Sequence, residues 1–150
     1  MDTYYDTGLL LQLYFGGEQA EALDQYVARR RSAIPVSGFE ELEMTNAMQL
    51  KLFRGEITTA ALAGVAHHVK DDFDLGRLVR RPVAWPEAFA EAMRLSGAVS
   101  AATGCRTLDI LHLATARLWG CTRFVSTDAR QIRAAKRVGL KIVDLRPRTR

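Results

Sequence analysis

A chain of 150 residues that is 48% hydrophobic has the size of one ordinary domain and buries a core without disulfide or metal staples. No stretch approaches the roughly 18 uncharged apolar residues of a membrane span, and the N-terminus lacks a basic stretch leading into an apolar run, so a soluble, cytoplasmic protein is expected. The net charge of +4 is uneven: residues 101–150 carry eleven Lys or Arg against three Asp, and the first hundred carry ten against fourteen acids, which fits an anionic polymer as partner and fits a solubilising arginine face equally well.

In chain order, Thr3-Tyr4-Tyr5 is β-prone and ends at Asp6-Thr7-Gly8, where the apolar run Leu9 to Leu13 begins a helix. Residues 18–31 have helical composition, and Ala33 to Val36 are a short extended run. Ser37-Gly-Phe-Glu40 fits a capping box, opening a helix that runs to about Arg54 with Gly55 as its stop. Thr58 opens another helix reaching about Asp74, and Leu78 to Val83 is a third strand or an extended connector. Pro86 suits a first helical turn, and the Ala-rich helix behind it ends near Gly104. Thr107 is expected to cap the next helix, closed by Gly120; Arg123 to Ser126 is a strand, Ala129 to Val138 a helix closed by Gly139, and Lys141 to Leu145 a last strand. The tail Arg146-Pro-Arg-Thr-Arg is expected to fray.

Short apolar strands alternating with helices predict an α/β fold, a three-layer sandwich whose central, mostly parallel sheet is covered on both faces, in a single domain over residues 1–150. Cys105 and Cys121 flank a helix that, if continuous, holds them about 24 Å apart, so they are expected to be reduced and packed. The missing CxxC spacing argues against zinc. His67 and His68 are expected at a helix surface, and His112 as a hydrogen-bonded core residue outside the chemistry. Leu95, Ala98 and Val99, with Trp85 and Phe89, form an apolar surface that serves as core or as a dimer face.

In a parallel sheet, ligands bind where strands hand over to helix N-termini. Asp6 follows the first strand directly, Asp128 lies two residues past the Ser126 strand end, and Asp109 sits in the first turn of a helix that is apolar nearly all round. Glu43 lies in the second turn of the helix after Val36. At 100° per residue it falls within an apolar stripe of Phe39, Leu42, Asn46, Leu50 and Phe53, with Glu40 at the margin and Glu41 pointing away. Each acid has a structural explanation as cap, dipole partner or turn residue. Four carboxylates converging at one edge force protons onto some of them unless a cation compensates, and all-oxygen ligation suits Mg²⁺ or Mn²⁺.

Four segments, Tyr5-Asp-Thr-Gly-Leu-Leu, Glu43-Met-Thr-Asn-Ala-Met, Thr107-Leu-Asp-Ile-Leu-His-Leu-Ala-Thr-Ala and Phe124-Val-Ser-Thr-Asp-Ala-Arg, resemble the PIN-domain nucleases, in particular the VapC-like toxins of bacterial toxin–antitoxin pairs. The resemblance spans nearly the whole chain and implies a PIN-like fold with catalytic, metal-holding acids at Asp6, Glu43, Asp109 and Asp128. It also places hydroxyl groups that orient the ligands at Thr7 and Ser126. It further implies a Mg²⁺- or Mn²⁺-dependent endoribonuclease acting on RNA such as tRNA or rRNA, inhibited by a small antitoxin and usually homodimeric. Products with a 5′-phosphate and a 3′-hydroxyl are expected, with Arg130, Arg133, Lys136 and Arg137 guiding the RNA backbone or simply solvating the outer face of a helix.

Three other classes compete. A nucleotide-binding protein is disfavoured because GxGxxG and GxxxxGK[ST] are both missing and Gly16-Gly17 reads as a turn. Phosphotransfer through a nucleophilic Asp6 lacks the Asp-x-Asp pattern, which Gly8 breaks. A catalytically inactive PIN-like module that binds nucleic acid or a partner has no evident use for clustered acids.

Overall fold

A computed structural model describes residues 2–145; the tail Arg146-Pro-Arg-Thr-Arg lies outside the described residues. In chain order the elements are β1 (Thr3–Tyr5), α1 (Thr7–Leu10), α2 (Gln12–Phe15), α3 (Ala20–Arg30), β2 (Ile34–Val36), α4 (Gly38–Phe53), α5 (Thr59–Asp74), β3 (Leu78–Arg80), α6 (Trp85–Thr103), α7 (Thr107–Leu118), β4 (Arg123–Val125), α8 (Ala129–Arg137) and β5 (Lys141–Ile142). The class is α/β with parallel strand pairing, as the alternation of strands and helices predicts. The described residues form two compact units, one of residues 2–6 and 82–144, the other of residues 7–81. Among them no helix is long and apolar enough to cross a membrane.

In the first unit β1, β4 and β5 form a parallel sheet in the order β1-β4-β5, with Tyr4 opposite Phe124 and Phe124 opposite Ile142. The fully buried ring of Tyr4 stacks on Phe124 at 5.4 Å and 6°, and leans on Trp119 at 5.5 Å. Around them pack Leu95 and Val99 of α6, Ile110 and Leu113 of α7, and Ala134 and Ala135 of α8, together with Cys105 and Cys121, both free thiols. Seven consecutive residues of α7, Ile110 to Ala116, are buried, as its all-round apolar composition predicts. Leu95 and Val99 of the predicted apolar surface belong to this core, whereas Phe89 is 54% exposed. Helix α6 starts with Pro86 in its first turn and ends at Gly104, whose φ of +67° a glycine adopts freely.

In the second unit β2 and β3 pair in parallel, with Ile34 opposite Leu78. Pro35 fits this ladder because the bonds run from the Ile34 N–H to Arg77 and from the Arg81 N–H to Val36, so its missing donor is not needed. The predicted capping box of α4 is present: the Ser37 hydroxyl accepts from the Glu40 N–H at 3.2 Å and Glu40 Oε2 accepts from the Ser37 N–H at 2.8 Å. Thr58 caps α5 through the Ala61 N–H.

Four expectations change. The buried side of α4 is formed by Glu40, Met44 and Met48, while Leu42, Leu50 and Phe53 are exposed, Phe53 by 86%. The capping box ties Glu40 inward, and positions four and eight residues on share its face. Glu40, assigned to the margin, is fully buried, and Glu41 forms an ion pair with Arg80 at 2.9 Å. Thr107 is the first residue of α7 and not its cap; Arg106, in extended conformation, holds the cap position. Strands β3 and β5 are shorter than predicted, ending at Arg80 and Ile142.

Candidate functional site

The first unit supplies three of the four predicted acids from three chain segments. Asp6 continues past β1, its N–H donating to the Val125 carbonyl at 2.9 Å, so it stands at the carboxyl end of the strand. Beside it β4 ends at Val125, and the chain turns through Ser126 into α8, whose N-cap is Asp128. Asp128 Oδ1 accepts from the Arg130 N–H at 2.8 Å and the Gln131 N–H at 3.0 Å. Asp109, in the first turn of α7, accepts the Arg106 N–H on Oδ2 at 3.1 Å. Asp128 therefore caps α8, and Asp109 reaches back from the first turn of α7 to the N–H of its cap residue Arg106; each uses one carboxylate oxygen.

Ser126 lies between the Asp6 carboxylate and the backbone of Asp128. Its Oγ accepts the Asp128 N–H at 3.0 Å, lies 3.4 Å from Asp6 Oδ2 and donates to Gln131 Oε1 at 2.6 Å. Asp109 and Asp128 share another neighbour, the Cys105 thiol. Burial, and then the negative charges of these two aspartates, push that thiol up to about 11. On the far side of Asp6, Nε2 of the buried His112 stands 3.7 Å from Oδ1, and the Tyr4 hydroxyl meets His112 Nδ1 at 2.8 Å.

The second unit holds the fourth acid. Glu43 is half-buried on α4, and its Oε2 accepts the hydroxyl of the buried Thr7 at 2.7 Å. Thr7 thus holds one oxygen of the Glu43 carboxylate in place. Of the basic residues on α8, Arg133 donates to the Thr103 carbonyl at 3.2 Å, at the C-terminal end of α6, while Lys136 and Arg137 are exposed.

The donor set suits a hard divalent cation, being all carboxylate, with two members held rigidly by backbone N–H groups. Among the described residues no group of three or more His, Cys, Asp or Glu side chains is arranged to hold a metal ion. Mg²⁺ commonly binds through one or two carboxylates and keeps its waters, so a site for it does not require three protein donors.

No family model matches the chain, and no curated protein does.

Two residues of this network escape sequence reasoning. Gln131 lies on an arginine-rich helix, yet it is fully buried against Ser126; its only sequence signal is the face it shares with Ala134 and Ala135. His112 is the hydrogen-bonded core residue expected, but nothing in its own segment announces its approach to Asp6.

Proposed function

We propose that the chain is a Mg²⁺- or Mn²⁺-dependent endoribonuclease of the PIN type, with that family's three-layer sandwich. In this reading it is the toxin of a toxin–antitoxin pair, a cytoplasmic homodimer restrained by a small antitoxin. The observation that carries the reading is the placement of Asp6 and Ser126 at the carboxyl ends of the adjacent parallel strands β1 and β4, with Ser126 Oγ 3.4 Å from Asp6 Oδ2 and accepting the backbone N–H of Asp128. A divalent cation held by Asp6, Asp109 and Asp128, with Glu43 as the fourth acid the resemblance assigns, would supply an activated water and offset charge on the scissile phosphodiester. The chain's own residues orient the acids. Backbone N–H groups at the starts of α7 and α8 fix Asp109 and Asp128, Ser126 stands beside Asp6, and Thr7 fixes one oxygen of Glu43. Arg130, Lys136 and Arg137 offer charge to the RNA backbone, and cleavage leaves a 5′-phosphate and a 3′-hydroxyl.

The test mixes the purified chain with RNA and Mn²⁺, then repeats the assay with EDTA and with Asp6→Asn. Cleavage is expected only with the wild type and free metal; activity that survives both changes refutes the proposal. The non-catalytic alternative, a PIN-like binding module, draws on the lack of a three-donor group among the described residues. A Mn²⁺ titration without Asp109-dependent binding selects it.

A further inference from the structure

His112 is 2% exposed, while His67 and His68 lie on the surface of α5. A polar ring so deep in the core needs partners for both nitrogens. Nδ1 has the Tyr4 hydroxyl at 2.8 Å, and Nε2 faces Asp6 Oδ1 at 3.7 Å. The Tyr4 hydroxyl cannot drift, because the ring behind it is fully buried, stacked on Phe124 and wedged against Trp119.

A neutral imidazole carries one N–H, so two arrangements exist. If Nδ1 carried it, the Nε2 lone pair would face a carboxylate, and two electron-rich atoms would oppose each other. If the Tyr4 hydroxyl donates to Nδ1, the proton sits on Nε2, and a positive N–H edge faces Asp6. The gap of 3.7 Å exceeds a hydrogen bond, so the interaction is electrostatic, exerted in a site with little water to screen it.

We propose that Tyr4 and His112 are a positioning pair: the Tyr4 hydroxyl fixes the Nε2–H tautomer of His112, and that N–H holds the Asp6 carboxylate oriented for a divalent cation. The inference rests on Asp6 being a cation ligand, and it gives the buried histidine a task that is neither ligation nor acid–base catalysis. Groups that orient metal ligands in this way typically change metal affinity by about 10- to 100-fold when lost.

The experiment is a calorimetric Mn²⁺ titration of the full chain as wild type, Tyr4→Phe, His112→Gln and Asp6→Asn, with ¹⁵N NMR of the histidine rings read on the first two. The wild type is expected to bind Mn²⁺ in an Asp6-dependent way and to show His112 as a single Nε2–H tautomer. Tyr4→Phe keeps the ring stack and loses only the hydroxyl; it is expected to bind Mn²⁺ about 10-fold more weakly and to lose the single tautomer. His112→Gln, whose amide can present an N–H toward Asp6, is expected to bind more tightly than Tyr4→Phe. Affinity unchanged in Tyr4→Phe, or a wild-type Nδ1–H tautomer, overturns the pair alone. A wild type without Asp6-dependent Mn²⁺ binding overturns the cation reading of the site, and the pair with it.

Discussion

Replacing Asp128 by Asn and, in a second variant, by Ala separates its duty as a helix cap from the negative charge a nuclease needs. Its Oδ1 accepts two backbone N–H groups, at 2.8 and 3.0 Å, at the start of a helix of nine residues. Asparagine caps about as well as aspartate, so Asp128→Asn keeps both bonds and gives up only the attraction between a full charge and the helix N-terminus, about 0.3–1 kcal/mol. Alanine also removes the cap, which adds about 0.5–2 kcal/mol. In urea unfolding Asp128→Asn is therefore expected within about 1 kcal/mol of wild type and Asp128→Ala about 1–3 kcal/mol below it, with the same denaturant slope. On the proposed nuclease reading the ranking disappears in RNA cleavage: both variants are expected to be inactive, because a neutral amide does not replace an anionic ligand. Equal destabilisation by the two substitutions would refute the cap argument, and an Asn variant that cleaves at the wild-type rate would refute the role of the charge.

The two neighbouring glutamates of α4 are expected to behave oppositely. Glu40→Ala leaves the buried Ser37 N–H without its acceptor and lowers stability by about 1–3 kcal/mol, whereas Glu43→Gln, which still accepts from Thr7, changes stability little and abolishes cleavage; paired urea and activity measurements decide. The Cys105 thiol, held up to about 11 from its ordinary 9.0, keeps its proton in the folded chain at pH values where the unfolded chain releases it. That contribution to stability is complete below the ordinary thiol range and is lost as pH rises toward about 11, so Cys105→Ala is expected to flatten the alkaline fall of the urea midpoint between these values. Parallel falls in the two proteins would overturn this.

Local signals read well from the sequence where both partners lie within one turn. The Ser37 and Glu40 box needs only four residues, and Gly104, Gly120 and Gly139, each with positive φ, follow the helices they were expected to stop. Helix α7 declares its burial because almost any face it turns is apolar. The face of α4 was not legible by the same logic. Its larger apolar residues, Leu42, Leu50 and Phe53, outweigh two methionines in any periodicity count, yet the methionines follow the capped Glu40 into the interior. In the structure Glu43 is held by the Thr7 hydroxyl, and the larger apolar residues of the stripe that pointed to it are exposed. The links from Ser126 to Gln131 and from Tyr4 to His112 were hidden for different reasons. The first runs from a strand end to a helix whose composition is basic, and the second joins residues 108 apart in sequence.

That Asp109 and Asp128 both accept backbone N–H groups at helix starts bears on what the proposed cation reading implies for folding. Their charges already face backbone N–H groups, so the fold does not rely on a metal to neutralise them, unlike small domains that assemble around their ion. Loading and folding are then separate equilibria. If the proposed cation reading holds, a chain stripped of metal is expected to stay folded and to regain its metal without refolding.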